Sequence, residues 1–196
     1  IAVSHIKQRM WQPYVFEHFL VTESQFNKKE IPCEQTPRNV FFINEILELY
    51  PDAKVVCMVR DPRDILLSQK NKWKRRFLGA KTIPLKESIR SWVNYHPITI
   101  SKLWNSSASK IIAAQNNAKV HVIKFETLIE NPQQTIKSLC DFLGLIYDSK
   151  MLAVPQVGSS AGSDNPESKG ISKERTGHFA KGLSATEIYY CQRMTK

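Results

Sequence analysis

Arg60 and Ser68, with Asp61, Pro62, Arg63 and Asp64 between them, are the residues of this chain whose types and spacing could do chemistry. A guanidinium offers a planar fork of donors, and a serine hydroxyl adds one more. On a helix Ser68 lies about two turns past Asp61, so it shares a face with Asp61 and Asp64. An arginine and a hydroxyl converging at one helix start suit a phosphate. The competing reading is purely structural, with Arg60 and Arg63 on the surface and salt-bridged to Asp61 and Asp64.

The residues alone leave both readings open, and the surrounding elements say where these side chains fall. Val55-Val56-Cys57-Met58-Val59 is a short apolar run rich in β-branched residues, with no polar alternation. It reads as a strand buried on both faces, which predicts a parallel sheet with helices on either side. Asp61 can cap a helix, Pro62 fits its first position and Asp64 its third. The chain therefore runs strand, sharp turn, helix, and Arg60 falls at the carboxyl end of the strand, where open α/β sheets bind ligands. A second strand is expected over Val120–Phe125, followed by a helix capped by Asn131, with Pro132 first and Gly144 at its end.

Elsewhere the periodicity predicts one or two helices over residues 1–22, interrupted at Pro13, and a polar loop over 23–33. A helix carrying Phe41, Phe42, Ile43, Ile46 and Leu47 should end near Tyr50-Pro51-Asp52. A long helix is expected over 85–106, kinked at Pro97, with Trp92 and Trp104 in the core and His96 structural. Residues 69–84 are strongly basic, which fits a solvated helix end and loop, or a surface that contacts nucleic acid or a sulfated glycan. Residues 155–177 read as a long loop. Ser184-Ala185-Thr186-Glu187 is a capping box that opens a last helix. Asn105-Ser106-Ser107 matches a glycosylation sequon, a short and weak signal.

The 196 residues are enough for a single domain with a real core, taken as 1–196. With 28 Lys and Arg against 18 Asp and Glu, the formal net charge of +10 calls for an acidic partner. The four cysteines, Cys33, Cys57, Cys140 and Cys191, lack metal-ligand spacing, and no metal site is expected. No apolar run approaches the ~20 residues of a membrane span, no signal peptide is visible, and a cytoplasmic location is expected. The chain begins at Ile1, not Met, and the true N-terminus is expected to lie upstream.

Three ordered segments carry a family resemblance. Arg60-Asp61-Pro62-Arg63-Asp64 with Ser68 resembles the 3′-phosphate segment of the sulfotransferases that use 3′-phosphoadenosine 5′-phosphosulfate. Glu34-Gln35-Thr36-Pro37, followed by Pro51-Asp52-Ala53-Lys54, resembles the Glu-Lys-Thr-Pro segment and the turn that precede it. Phe125-Glu126-Thr127-Leu128, then Asn131-Pro132 and Phe142-Leu143-Gly144, resembles the family's Tyr-Glu-Asp-Leu, Asn-Pro and Phe-Leu-Gly signals. The resemblance implies an α/β three-layer sandwich with a central parallel sheet, like the P-loop nucleotide-binding fold. It implies that Arg60 and Ser68 hold the 3′-phosphate, that the Phe125 ring lies near the nucleotide, and that Glu34 is the general base. It further implies that a basic residue and a glycine cover the nucleotide, with Lys169-Gly170 and Arg175-Thr176-Gly177 as candidates. Gln35 stands where Lys is usual, and Phe125 where Tyr is usual.

The family also binds the 5′-phosphosulfate in a glycine-containing loop after its first strand. This sequence has no glycine before Gly79, so the first strand and that loop are expected to be absent. The implied activity is sulfuryl transfer from 3′-phosphoadenosine 5′-phosphosulfate to a hydroxyl or amine on a small molecule, glycan or protein, with this chain an incomplete and weakly active or inactive part. Two other classes compete. A non-enzymatic module binding sulfated glycan or nucleic acid would account for the net charge. A nucleotide kinase would share the architecture, but no Gly-x-x-x-x-Gly-Lys-Ser/Thr run exists.

Overall fold

The computed structural model describes residues 2–71, 84–93, 95–154, 170–171 and 176–196. It divides into two compact units, 1–53 and 54–196. The first unit holds helix α1 (Ala2–Phe26), a 3-10 turn (Pro37–Phe42) and helix α2 (Ile43–Leu49). α1 is one continuous helix through Pro13 and extends four residues into the expected loop. Pro37 opens the 3-10 turn from an extended Thr36, as the residue before a proline should be. Ile43 is the buried apolar residue of this unit among the described side chains, while Tyr14, Phe19 and Phe26 are exposed.

The second unit is built on two parallel strands, β1 (Val55–Val59) and β2 (Val120–Lys124), in the register Val55 to Val120 through Val59 to Lys124. Helices α3 (Pro62–Lys70), α4 (Leu85–Val93) and α5 (Pro97–Ala114) connect them. α6 (Phe125–Glu130), α7 (Pro132–Leu143), a short α8 (Phe179–Gly182) and α9 (Ala185–Met194) follow. This is the parallel α/β arrangement expected from the sequence. Among the described residues no strand precedes Val55.

Trp92, expected in the core, is 57% exposed, and four further expectations need correction. First, β1 is not buried on both faces: Cys57 is buried, while Val56 and Met58 are 40% and 52% exposed. Val56 pairs with His121, and α7 covers the β2 half of that face by stacking Phe142 on His121 at 5.0 Å. Second, Pro97 breaks the expected long helix outright, because His96 is extended and its Nδ1 accepts from the Ile98 N–H at 3.3 Å, capping a new helix. Third, Phe125 opens α6 instead of ending β2. Fourth, Asn131 does not cap α7 with its side chain; its carbonyl accepts from Thr135. Gly144 closes α7 in the left-handed region at φ 77°, as a C-terminal glycine should. The sequon lies inside α5, and the Asn105 amide donates to the Met194 carbonyl at 2.8 Å, so the nitrogen is engaged.

The core of this unit forms where α3, α5, α8 and α9 meet. Leu66 and Cys191 are fully buried with Leu183, and Leu67, Tyr95, Ile100, Phe179 and Ile188 pack around them. Gly182 touches Leu67 so closely that an added Cβ would lie 2.5 Å from a leucine methyl. The expected capping box is present, with Ser184 Oγ accepting from the Glu187 N–H and Glu187 from the Ser184 N–H. Glu187 does more than cap. It accepts from Lys70 Nζ of α3 and from the Tyr95 hydroxyl, both at 2.8 Å. Burial pushes the Glu187 carboxyl up, but the bonds from Lys70, Ser184 and Tyr95 outweigh it and bring it to about 2. Burial and the bond to Glu187 push the Tyr95 hydroxyl up.

The folded carboxyl therefore titrates below its ordinary value of about 4.3, and its stabilisation is complete above that value and is lost as pH falls toward 2. Urea midpoints measured from pH 6 to pH 2 should show Glu187→Gln less stable than wild type at pH 6. The gap should close by about pH 2; a gap constant across the range would contradict the assigned network.

Candidate functional site

The β-ladder ends at Val59 opposite Lys124. The next carbonyl and the next N–H have no strand partner, and side chains take their place. The Arg60 carbonyl accepts from Trp104 Nε1 of α5 at 2.9 Å. The Asp61 N–H donates to Glu126 Oε1 of α6 at 2.8 Å. The turn between strand and helix is thus fixed from two different elements.

Asp61 then caps α3, its Oδ1 accepting from the Arg63 N–H at 2.8 Å, with Pro62 at the first position as the sequence predicted. The same carboxylate takes the Arg63 guanidinium in a forked pair, Nη2 to Oδ2 at 2.6 Å and Nε to Oδ1 at 3.0 Å. Burial pushes the Asp61 carboxyl up, but the bonds from Arg63 and the charges of Arg63 and Arg60 outweigh it and hold the carboxyl below the usual range. The Arg63 guanidinium carbon lies over the Phe179 ring, 4.0 Å from its centre. The Asp64 carboxylate accepts from the Gly177 and Phe179 N–H groups.

Arg63 is the ion-paired residue that the structural reading expects, and Arg60 meets an aromatic ring. Its guanidinium carbon stands 4.5 Å over the Phe125 ring at the start of α6. An arginine over an aromatic face keeps its charge, and its planar fork of donors suits an anion. Beside the turn, Asp61, Arg63, Trp104 and Gln192 border an open cleft of about 300 Å³.

The structure therefore brings Arg60 and Phe125 together. Ser68 lies half-buried on α3, in the same strand–turn–helix unit. Glu34 belongs to the first unit, exposed, and accepts from the Asn39 amide. Gly170 has φ 115° and donates its N–H to the Val154 carbonyl at 2.8 Å, a conformation that suits glycine. Lys169 and Arg175 lie outside the described residues, as does the basic run from 72 to 83.

Comparison with known proteins decides the family. The model described as the sulfotransferase family matches residues 5–149, well over half of the chain. The chain belongs to the sulfotransferase family. A provisionally named protein-tyrosine sulfotransferase of Caenorhabditis briggsae is 27% identical over 122 residues, covering 61% of this chain and 39% of that protein. The like-named protein of Caenorhabditis elegans is 28% identical, covering 61% and 42%. The chain thus spans about two fifths of the length of the curated relatives it matches. Among solved structures, the sulfotransferase domain from the Synechococcus PCC 7002 olefin synthase aligns with TM-score 0.50 at 17% identity, covering 82% of this chain and 56% of that one. That likeness concerns the fold alone.

All three segments that suggested a sulfotransferase lie inside the matched region, whereas Gly170 and Gly177 lie beyond it. Trp104 and Glu126 were not legible as site residues of this sulfotransferase chain. Trp104 reads as a core aromatic in a helical stripe, and no local signal marks a bond to a carbonyl 44 residues away. Among the described residues no group of His, Cys, Asp and Glu could hold a metal ion, and no helix is long and apolar enough to cross a membrane.

The Trp104 bond gives a direct test. Trp104→Phe keeps most of the ring and removes the N–H, leaving the Arg60 carbonyl without that donor. Denaturant titration should show a loss of about 1–3 kcal/mol. An unchanged midpoint would mean that solvent replaces the indole at no cost.

Proposed function

We propose that this chain is the 3′-phosphate-recognising part of an enzyme that moves a sulfuryl group from 3′-phosphoadenosine 5′-phosphosulfate to a hydroxyl or amine of an acceptor. The observation that carries the reading is Arg60, at the carboxyl end of β1 and stacked on Phe125, inside a turn held by Trp104 and Glu126. The donor set fits a phosphate: one always-charged fork, with a hydroxyl from Ser68 on the adjoining helix.

In this reading the donor supplies the sulfuryl group, and the chain's residues orient it and handle the proton. Arg60 and Ser68 hold the 3′-phosphate, and the Phe125 ring lies beside the base or ribose. Gly170 with Lys169 or Arg175 covers the nucleotide. Glu34 takes the proton from the attacking hydroxyl or amine. The names of the relatives favour a protein tyrosine as acceptor, and the net charge of +10 favours one in acidic surroundings. A chain of this extent is expected to bind the nucleotide product and to turn over slowly or not at all. The second reading, a non-enzymatic polyanion-binding module, draws on the same net charge.

Calorimetric titration with adenosine 3′,5′-bisphosphate separates the two. Wild type should bind saturably, and Arg60→Ala should weaken binding by about tenfold or more, the worth of a charged hydrogen bond. Ser68→Ala should weaken it less. Binding that is indifferent to Arg60→Ala but falls steeply with salt would favour the polyanion module.

A further inference from the structure

Asp64 occupies the third position of α3, where a carboxylate ordinarily serves the free N–H groups of its own helix. Here it serves a distant segment. It is 3% exposed; its Oδ2 accepts from the Gly177 N–H at 2.8 Å and its Oδ1 from the Phe179 N–H at 3.0 Å. Those donors lie 113 and 115 residues further along the chain. Gly177 makes the arrangement possible. Its φ is 76°, and an added Cβ would meet nothing within 4 Å, so the backbone angle and not the space requires glycine.

The bond to Phe179 has a second consequence. It sets the Phe179 ring under the Arg63 guanidinium, whose N–H groups are forked onto Asp61. Asp61 in turn supplies the N–H that Glu126 holds, one residue from Arg60. A continuous line of contacts thus runs from Asp64 through Phe179, Arg63 and Asp61 to the turn that carries Arg60.

We infer that Asp64 is a positioning residue for the candidate anion site: by fixing residues 177–179 on the first turn of α3, it parks Arg63 between Phe179 and Asp61 and sets the backbone from which Arg60 reaches its anion. The inference rests on the nucleotide reading above and deepens it. It also makes a prediction opposite in sign to simple electrostatics. Removing a negative charge close to an anion site should, by charge alone, tighten anion binding. A positioning role requires the reverse.

The test uses the full chain and adenosine 3′,5′-bisphosphate, with Asp64→Asn, Gly177→Ala and each of them combined with Arg60→Ala. The asparagine keeps the shape but turns an NH2 toward one of two N–H donors, so one bond is lost. Affinity should fall at least about fivefold in Asp64→Asn. Hydrogen exchange at the amides of 177 and 179 should accelerate. The loss should largely vanish in the Arg60→Ala background, since both substitutions disable one arm. Gly177→Ala adds only a strained φ and should act in the same direction, so it carries the test if Asp64→Asn does not fold. Unchanged or tighter binding in Asp64→Asn, or a loss fully additive with Arg60→Ala, overturns the inference while leaving wild-type nucleotide binding intact. Absence of binding by wild type removes the nucleotide reading and this inference together.

Discussion

Where β1 stops pairing, its backbone still has a carbonyl and an N–H to satisfy, and the rest of the site follows from how that is done. A partly buried peptide group without a partner costs about as much as a lost hydrogen bond. The chain meets this demand with Trp104 from α5 and Glu126 from α6, reaching the two sides of one turn. That solution fixes the direction in which Arg60 leaves the sheet. It also fixes the position of Phe125, because Phe125 and Glu126 are neighbours in the first turn of α6. The arginine–aromatic stack is thus a geometric result of capping the strand end.

Two arginines in one short stretch end in different chemical situations, and the difference is local. Arg63 lies on α3, within reach of the helix-capping carboxylate of Asp61, and is spent on an ion pair and an aromatic face. Arg60 precedes the helix and is turned by the strand end toward Phe125. A repeated Arg-Asp pattern therefore contains one structural and one candidate binding arginine. The family match covers this stretch and the elements on both sides of it.

Local signals were legible and non-local ones were not. The strand, Asp61 as cap, Pro62 at the first helical position, Gly144 as terminator and the Ser184 box all follow from short-range stereochemistry, and all are present. The reading of β1 as doubly buried failed because composition reports what a strand could bury, whereas exposure depends on what packs against it. Pro97 was read as a kink, but His96 supplied a competing cap and made it a start. At the candidate site, Arg60 was singled out by its place at the strand end and, with Phe125, by motif resemblance, and the structure sets one against the other. Trp104, Glu126 and the true partners of Asp64 were not singled out, because each acts on backbone groups far along the chain.

The long reach of these contacts bears on how the molecule assembles. β1 meets β2 only after some sixty residues have been placed between them, and the ties from α3 to Gly177, Phe179 and Glu187 close loops of 113 to 117 residues. Closing such loops costs chain entropy before any contact repays it, so topologies of this kind fold slowly. The helices α5 and α7 can form early from local signals, while the turn at Arg60 acquires its final shape only when α5, α6 and the segment at Gly177 have all arrived. The candidate recognition turn is thus the part of this unit whose shape depends on closures between the most distant stretches of chain.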